Sequence, residues 1–413
     1  MGWKRATHRP PIARNAAFVQ LGRLQMHGGS MNADDFRESP SGTLVPTIHG
    51  CMAFLPNPLP PKGINLSGLV SLIAEANLAL GELSGVGRTL HNPFLLIQPF
   101  MRREAVASSK IEGTVTTLSE LFLFEVEGGT SKSPDDAREV LNYVKALRQG
   151  LRRIDDMPLA NRLIRECHEI LLTGVAKHRG AGIIPGEFKA DQNWIGARLI
   201  QNARYVPPPP KESAEAMGEL EKYINNLDDS LPILVQIALI HYQFEAIHPF
   251  PDGNGRVGRL LIPLILTMRK TMSQPLLYLS DFLEKNYDEY IDTMYDVSRS
   301  GNWEGWIAFF LRGVSQNCQD AIKKAQSLQD LQADYRGRIQ QARSSALLAR
   351  LIDLLFESPA ITVPIASEKL QIAYNAAKNN IARLIHHGIL AEAPIQERPK
   401  VFWAPEIIRI VAD

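Results

Sequence analysis

Cysteine is scarce: Cys51, Cys167 and Cys318 are the only three in 413 residues. Their odd number and wide spacing exclude a disulfide framework and a thiolate metal site. They fit a reducing, cytoplasmic setting. Net charge is also nearly absent, at +1, so no global field draws the protein to nucleic acid or to an acidic partner. No run approaches the roughly 20 apolar residues of a membrane span. The first residues lack the apolar core of a secretory signal, so no membrane partner is expected. No Gly-Lys-Ser/Thr phosphate loop occurs, nor a Gly-x-Gly-x-x-Gly after a strand. Residues 1 to 33 contain no Asp or Glu, and Pro10-Pro11 and Gly28-Gly29 break any pattern there. The expectation is a disordered extension over 1–45, with translation starting at Met31 as one explanation and a transit peptide as the alternative.

What is present is a hydrophobic content of 45%, enough for the cores of two or three domains. The most informative stretch is His248-Pro249-Phe250-Pro251-Asp252-Gly253-Asn254-Gly255-Arg256-Val257-Gly258-Arg259. Apolar runs flank it, Leu231 to Ile247 and Leu260 to Met268, and read as two buried helices. Gly253 and Gly255 allow left-handed backbone and close approach of a ligand. Successive N–H groups in such a turn make an anion nest, and the following helix points its positive end at the same place. Arg256 and Arg259 are three apart, on one face of the first turn, as a polyphosphate site would use them. Asp252 suits Mg2+, which needs only one or two carboxylates beside phosphate oxygens. His248 is a candidate general base. An EF-hand is excluded, because Pro263 stands where its last glutamate should be.

His-Pro-Phe-x-Asp-Gly-Asn-Gly-Arg-x-x-Arg is the signature of the Fic family, which residues 248–259 resemble at every defined position. The resemblance implies a mainly α fold: a Fic-type helical bundle with a β-hairpin flap. It implies transfer of AMP from ATP to a Ser, Thr or Tyr hydroxyl of a target protein, or of the enzyme itself, with release of pyrophosphate. Gly253, Asn254 and Gly255 would hold the α- and β-phosphates, Arg256 the β-phosphate, Arg259 the γ-phosphate and Asp252 the Mg2+. Transfers of UMP, phosphocholine or phosphate share such a loop and stay open, as does reverse removal of AMP.

Other stretches arrange themselves around that loop. A helix is expected over about Ser67 to Ser84, after the Pro-rich extended residues 52–62. Another should run from about Pro99 to Ile111 and stop at Gly113. Ser108 and Glu112 share its face, and an exposed Glu at a helix C-terminus is unfavourable enough to suggest a cationic partner. Ser108-Ser109-Lys110-Ile111-Glu112-Gly113 resembles the Fic inhibitory motif, which implies that Glu112 pairs with Arg259 and keeps ATP unproductive. Ser133-Pro134 should open a helix running to Gly150. Pro158-Leu159-Ala160 opens the next, on which His168 is read as packing or surface.

Residues 186–210 read as two short β-like pieces around a polar turn. By the resemblance they are the flap that docks the hydroxyl-bearing target, with Ile195 and Gly196 facing the nucleotide. Asn286, Tyr287 and Tyr290, within a helix over 282–295, are candidates for the adenine end or plain core residues. Trp303 to Leu311 is an apolar helix, and a long polar helix from Val314 to Arg343 should connect to a second domain. Residues 344–413 have the rhythm of a winged helix, with 374–385 as recognition helix exposing Asn375, Lys378, Asn379 and Arg383. DNA contact, protein contact and a structural cap stay open there, as does a homodimer. The expected boundaries are 46–125 for the segment with the inhibitory motif, 126–312 for the catalytic core, 313–343 for the connecting helix and 344–413 for the winged-helix-like domain. The alternative function is a nucleotide-sensing, DNA-binding regulator.

Overall fold

A computed structural model describes residues 31–89, 94–126, 135–175, 183–226, 230–340, 346–394 and 399–413. Residues 1–30, the loop at 127–130 and the Ser133-Pro134 helix start lie outside the described residues. The expected disorder over 1–45 does not hold for its last part. Asn32 caps a 3-10 turn over Ala33–Phe36, and strand β1 (Gly42–Pro46) pairs antiparallel with β2 (Met52–Pro56). Phe36 explains the order: it is fully buried, 5.6 Å from the ring of Phe54 and 5.4 Å from that of Tyr295. Burial of such a ring contributes about 2–3 kcal/mol, which offsets the backbone entropy of ordering about two residues.

Helix α1 (Val70–Thr89) carries the expected apolar stripe but runs one turn further. Together with the 3-10 turn before it, Ser67–Arg88 is long and apolar enough to cross a membrane by length and composition alone, which corrects the expectation that no run approaches such a span. In the fold it lies along a long helix near the C-terminal half, burying Ala76, Leu80 and Leu83. Helix α2 (Phe94–Ile111) begins well before Pro99, which sits inside it. Its end is as expected: Gly113 takes φ +85°, and the Thr114 N–H donates to Ser109 at 3.0 Å, closing the last turn.

Helix α3 (Leu118–Val126) opens on a reciprocal cap. Glu120 Oε2 accepts from the Thr117 N–H, and Thr117 Oγ1 accepts from the Glu120 N–H. Helices α4 (Asp135–Arg153) and α5 (Asn161–Leu172) are amphipathic and pack on each other. After α6 (Pro210–Asn225) come the two helices at the centre of the molecule, α7 (Ile233–Ile247) and α8 (Asn254–Met268), buried along nearly their whole length. A helix apolar on every side must be surrounded by others, and this pair is. Pro263 lies in the middle of α8 rather than in its first turns, so it has no N–H for the carbonyl of Arg259.

The stretch expected as one helix is two, α9 (Ser280–Lys285) and α10 (Tyr287–Ser300), broken at Asn286. Trp303 to Gln340 forms a single helix, α11, and not an apolar helix followed by a connector. The expected boundary at 312/313 therefore falls inside a continuous 38-residue helix.

The last unit runs α12 (Ala346–Glu357), β3 (Ala360–Thr362), α13 (Val363–Leu370), α14 (Tyr374–His386), β4 (Ala391–Glu392), β5 (Val401–Trp403) and α15 (Pro405–Ala412). Its antiparallel sheet has the order β3-β5-β4. On α14, Asn375, Lys378 and Asn379 are exposed and Arg383 is half-buried. This unit does not hang from a linker. Helices α12 and α15 pack against α2, and α15 and β3 against α3.

Candidate active site

The site is built where α7 ends and α8 begins. Helix α7 is terminated by His248 in the left-handed conformation, φ 50° and ψ 58°. A non-glycine residue there is strained, and something must hold it. Asn193 does so from the 186–210 segment: its Nδ2 donates to the carbonyls of His248 and Phe250, each at 3.0 Å. Lys189 adds its N–H to the Pro249 carbonyl at 2.8 Å, and its buried Nζ donates to Asn193 Oδ1 at 2.8 Å. Burial pushes the Lys189 pKa well below its usual value. His248 Nδ1 faces the Glu245 carbonyl at 3.3 Å, which orients the ring and leaves Nε2 as the nitrogen without that contact. Burial pushes the imidazole down to about 3, so it is neutral at physiological pH.

Asn254 braces the loop from the other side. Its Oδ1 accepts from the Phe250 N–H and its Nδ2 donates to the Phe250 carbonyl, both at 2.8 Å. Its side chain is thus committed to the protein, and only its backbone N–H is available to an anion. Gly253 caps α8 at φ 82°, a conformation that an L side chain rarely adopts. His168 is neither surface nor catalytic. It is fully buried and stacked on Phe250 at 3.8 Å, with Nε2 3.0 Å from the Asp252 carbonyl and Nδ1 accepting from the Gly186 N–H at 2.9 Å. Burial pushes it down to about 4, consistent with a neutral ring donating on one side and accepting on the other.

A cavity of about 90 Å³ opens over the loop. The nucleotide-site candidates His248, Asp252, Gly253, Asn254, Gly255, Arg259, Ile195, Tyr287 and Tyr290 all line it, together with Glu112. Three candidates do not. Asn286 caps the end of α9, donating to Phe282 O at 2.9 Å. Gly196 turns the chain at φ +89° with its Cα face against Arg204, where an added Cβ would stand 2.9 Å from that side chain. Arg256 is fully buried beneath the loop, with Nη1 3.1 Å from Glu139 Oε2 on α4 and Nη2 3.6 Å from Asp252 Oδ2. Its position three residues before Arg259 does not bring both guanidiniums to one ligand, because Arg256 meets Glu139 on α4 and Arg259 meets Glu112 just past the end of α2. Tyr290 serves two roles, lining the cavity with its ring and holding its hydroxyl 2.8 Å from His241 Nε2 in the core.

The flap is less regular than a hairpin. A single bridge joins Ile195 and Tyr205, with a 3-10 turn over Ile200–Asn202 between them. Its support comes from the N-terminal strands: Phe54 N–H donates to Val206 O at 2.9 Å, and Ala53 packs against Ile200, Ala203 and Val206. The stretch is too short and too polar to form strands unaided, and β2 supplies the missing neighbour.

The contact between α2 and α8 was anticipated. Arg259 Nη2 donates to Glu112 Oε1 at 2.7 Å and to the Ser108 carbonyl at 3.0 Å, and Nε donates to Ser108 Oγ at 2.8 Å. Burial alone would disfavour the guanidinium charge, but the adjacent Glu112 carboxylate more than offsets it, so the Arg259 pKa stands above its usual value. Glu245 was not anticipated. It lines the same cavity one turn before His248, its Oε1 is buried, and burial raises its pKa to about 8. Asn193, Lys189, Glu139 and Glu245 lie outside the motif, and only the fold shows that they reach it.

A second, apolar cavity shares Ile195, Glu245, His248, Tyr287, Ile291 and Met294 with the first and extends to Tyr205, Tyr242 and Tyr295. Among the described residues no group of three or more His, Cys, Asp or Glu side chains forms a metal cage.

Residues 70–152 match the Fic/DOC family N-terminal domain, and residues 158–266 match the Fic/DOC family domain. Proteins named protein adenylyltransferase Fic, from Drosophila ananassae and Drosophila melanogaster, are each 31% identical over 160 residues. That match covers 38% of this chain and spans only about a third of those relatives, 30% of their length. The crystal structure of a Fic family protein from Desulfovibrio desulfuricans G20 superposes with a TM-score of 0.54. It covers 84% of this chain and 98% of that one at 20% identity, which establishes a common fold. Residues 70–152 and 158–266, the second of which carries the motif loop, are thus a Fic/DOC N-terminal domain and a Fic/DOC domain.

Proposed function

We propose that this protein is a protein adenylyltransferase that moves AMP from ATP to a Ser, Thr or Tyr hydroxyl of a target protein or of itself, and that Glu112 restrains it. The observation that carries the reading is the convergence of a neutral His248, the Gly253–Gly255 turn, Asp252 and Arg259 on one cavity. The curated relatives that carry the name protein adenylyltransferase support the same class of reaction.

The backbone N–H groups of Gly253 to Gly255, at the start of α8, receive the α- and β-phosphates. Arg259, when released, orients the γ-phosphate. Asp252 lines the cavity beside the loop glycines, and one such carboxylate suffices for Mg2+ held mostly by phosphate and water oxygens. When bound, that ion neutralises charge on the polyphosphate. Tyr287 and Ile291 offer apolar faces to the base. The 186–210 segment presents the target, and His248 Nε2 takes the proton from its hydroxyl. The hydroxyl oxygen then bonds to the α-phosphorus as the bond to the bridging oxygen breaks, and pyrophosphate leaves. Positioning and charge stabilisation supply most of the rate, with base catalysis added.

In the observed arrangement Arg259 has both Nη2 and Nε bound to α2, so it is not available to a γ-phosphate. The test is incubation of wild type and Glu112→Gly with ATP labelled at the α-phosphate, with γ-labelled ATP as control, followed by mass mapping. Label from the α position only, stronger in the variant, is expected. Label from the γ position, or none from either, contradicts the proposal. For the other class of function, a nucleotide-sensing regulator, the exposed polar residues of α14 are the relevant surface. Salt-dependent duplex binding without any transfer would favour it.

A further inference from the structure

Helix α2 carries Glu104 and Ser108 four residues apart, and Glu112 follows four later, one residue past the helix end. Residues at that spacing share one helix face. Ser108 and Glu112 meet Arg259, but Glu104 lies two turns back and lines neither cavity over the motif loop. It is 3% exposed. Its Oε1 accepts from the Tyr143 hydroxyl at 2.9 Å and from the Ser280 hydroxyl at 2.5 Å, and its Oε2 accepts from the Ser280 N–H at 3.1 Å. Tyr143 belongs to α4 and Ser280 begins α9, so one carboxylate ties α2 to two other helices of the core. One face of α2 thus carries two polar anchors: Glu104 holds Tyr143 and Ser280, and Ser108, with Glu112 just beyond it, holds Arg259.

A carboxylate in this place has a cost that an apolar side chain would not, because burial disfavours its charge. What it gains is register. Apolar side chains tolerate a helix sliding along its axis, whereas three hydrogen bonds from fixed donors do not. A slip of α2 by one turn, about 5.4 Å, would carry Glu112 out of reach of Arg259. We propose that Glu104 is a positioning residue, which fixes α2 along its axis and thereby holds Ser108 and Glu112 against Arg259. The inference deepens the adenylyltransferase reading and rests on it for its activity readout.

Ser280→Ala and Tyr143→Phe test it in the full chain, since each removes a donor to Glu104 while leaving little empty volume. Transfer from α-labelled ATP is expected to rise about tenfold or more over wild type in each, the loss of one charge-assisted hydrogen bond. Neither variant should add anything once Glu112→Gly is also present. Amide exchange at residues 108–113 should become faster in both. Wild-type transfer with unchanged exchange would overturn the proposal, and so would an equal fall in transfer with and without Glu112, which is the signature of a merely structural role. If Glu112→Gly itself takes up no label, the adenylyltransferase reading fails, and exchange at 108–113 still decides the register on its own.

Discussion

Arg259 Nη2 lies 2.7 Å from Glu112 Oε1, with the two residues 147 positions apart and both side chains almost fully buried. An ion pair in such a place is held by geometry more than by net energy, because desolvation consumes much of the attraction. Removing Glu112 alone therefore frees Arg259 but leaves its buried guanidinium uncompensated, so Glu112→Gly should also lose stability, by about 3–5 kcal/mol. In Glu112→Gly, Arg259 should serve the γ-phosphate, and in Glu112→Gly with Arg259→Ala transfer should fall back by tenfold or more, about 1.4 kcal/mol or above in the barrier. Retained activity in the double variant, measured with α-labelled ATP, would contradict the role given to Arg259.

His248→Ala should lose transfer by about 10²–10⁴-fold while still binding ATP, as expected for loss of a general base alone. Because burial holds the imidazole near 3, transfer by Glu112→Gly should not fall through an ionisation near 6.5. A rate profile that drops with that apparent value would show that His248 titrates normally.

Asn193→Ala removes both hydrogen bonds that hold the left-handed end of α7. Two such bonds contribute about 1–3 kcal/mol. Both thermal stability and transfer should fall, with the loss in kcat exceeding the change in KM, since the base is displaced and the nucleotide loop is still braced by Asn254. A variant with wild-type kcat would show that the strain at His248 is held by other contacts.

Stability should decrease on acidification. Burial pushes His168 down to about 4 and His241 and His248 to about 3, so each remains neutral when folded. The unfolded chain takes up those protons near pH 6.5, which costs the folded state about 1.4 kcal/mol per pH unit per histidine below that value. Glu245, raised to about 8, and Glu104, also raised, act in the opposite sense. Their folded-state protons stabilise below about pH 4.5, and that contribution is lost as the pH rises. Between pH 6.5 and 5 the three histidines outweigh Glu245, so the urea midpoint is expected to be lower at pH 5 than at pH 7. A midpoint that rises on acidification would reverse the balance assigned to these groups.

Much of the site was legible along the chain. The motif loop is contiguous, so its glycines, Asp252 and His248 could be named as candidates without knowing any tertiary contact; spacing and a helix stop put Ser108 and Glu112 on one face, and the resemblance to the Fic inhibitory motif supplied Arg259 as their partner. The errors have one cause. Phe36 orders a segment that composition marks as disordered, because its partners Phe54 and Tyr295 are distant in sequence. Arg256 and Asn286 carry suitable chemistry, but neighbouring groups turn them elsewhere: Glu139 takes Arg256, and the end of α9 takes Asn286.

By itself the sequence determined the local chemistry: which residues sit in the turn, where helices stop, and which side chains can carry charge or accept a proton. Tertiary structure alone decided which of those groups meet. Lys189 and Asn193 support His248, and Glu104 registers α2, because helices and loops remote in the chain pack around the α7–α8 pair. Pairing across a core depends on side-chain volumes and directions summed over many elements, and no local pattern records that sum.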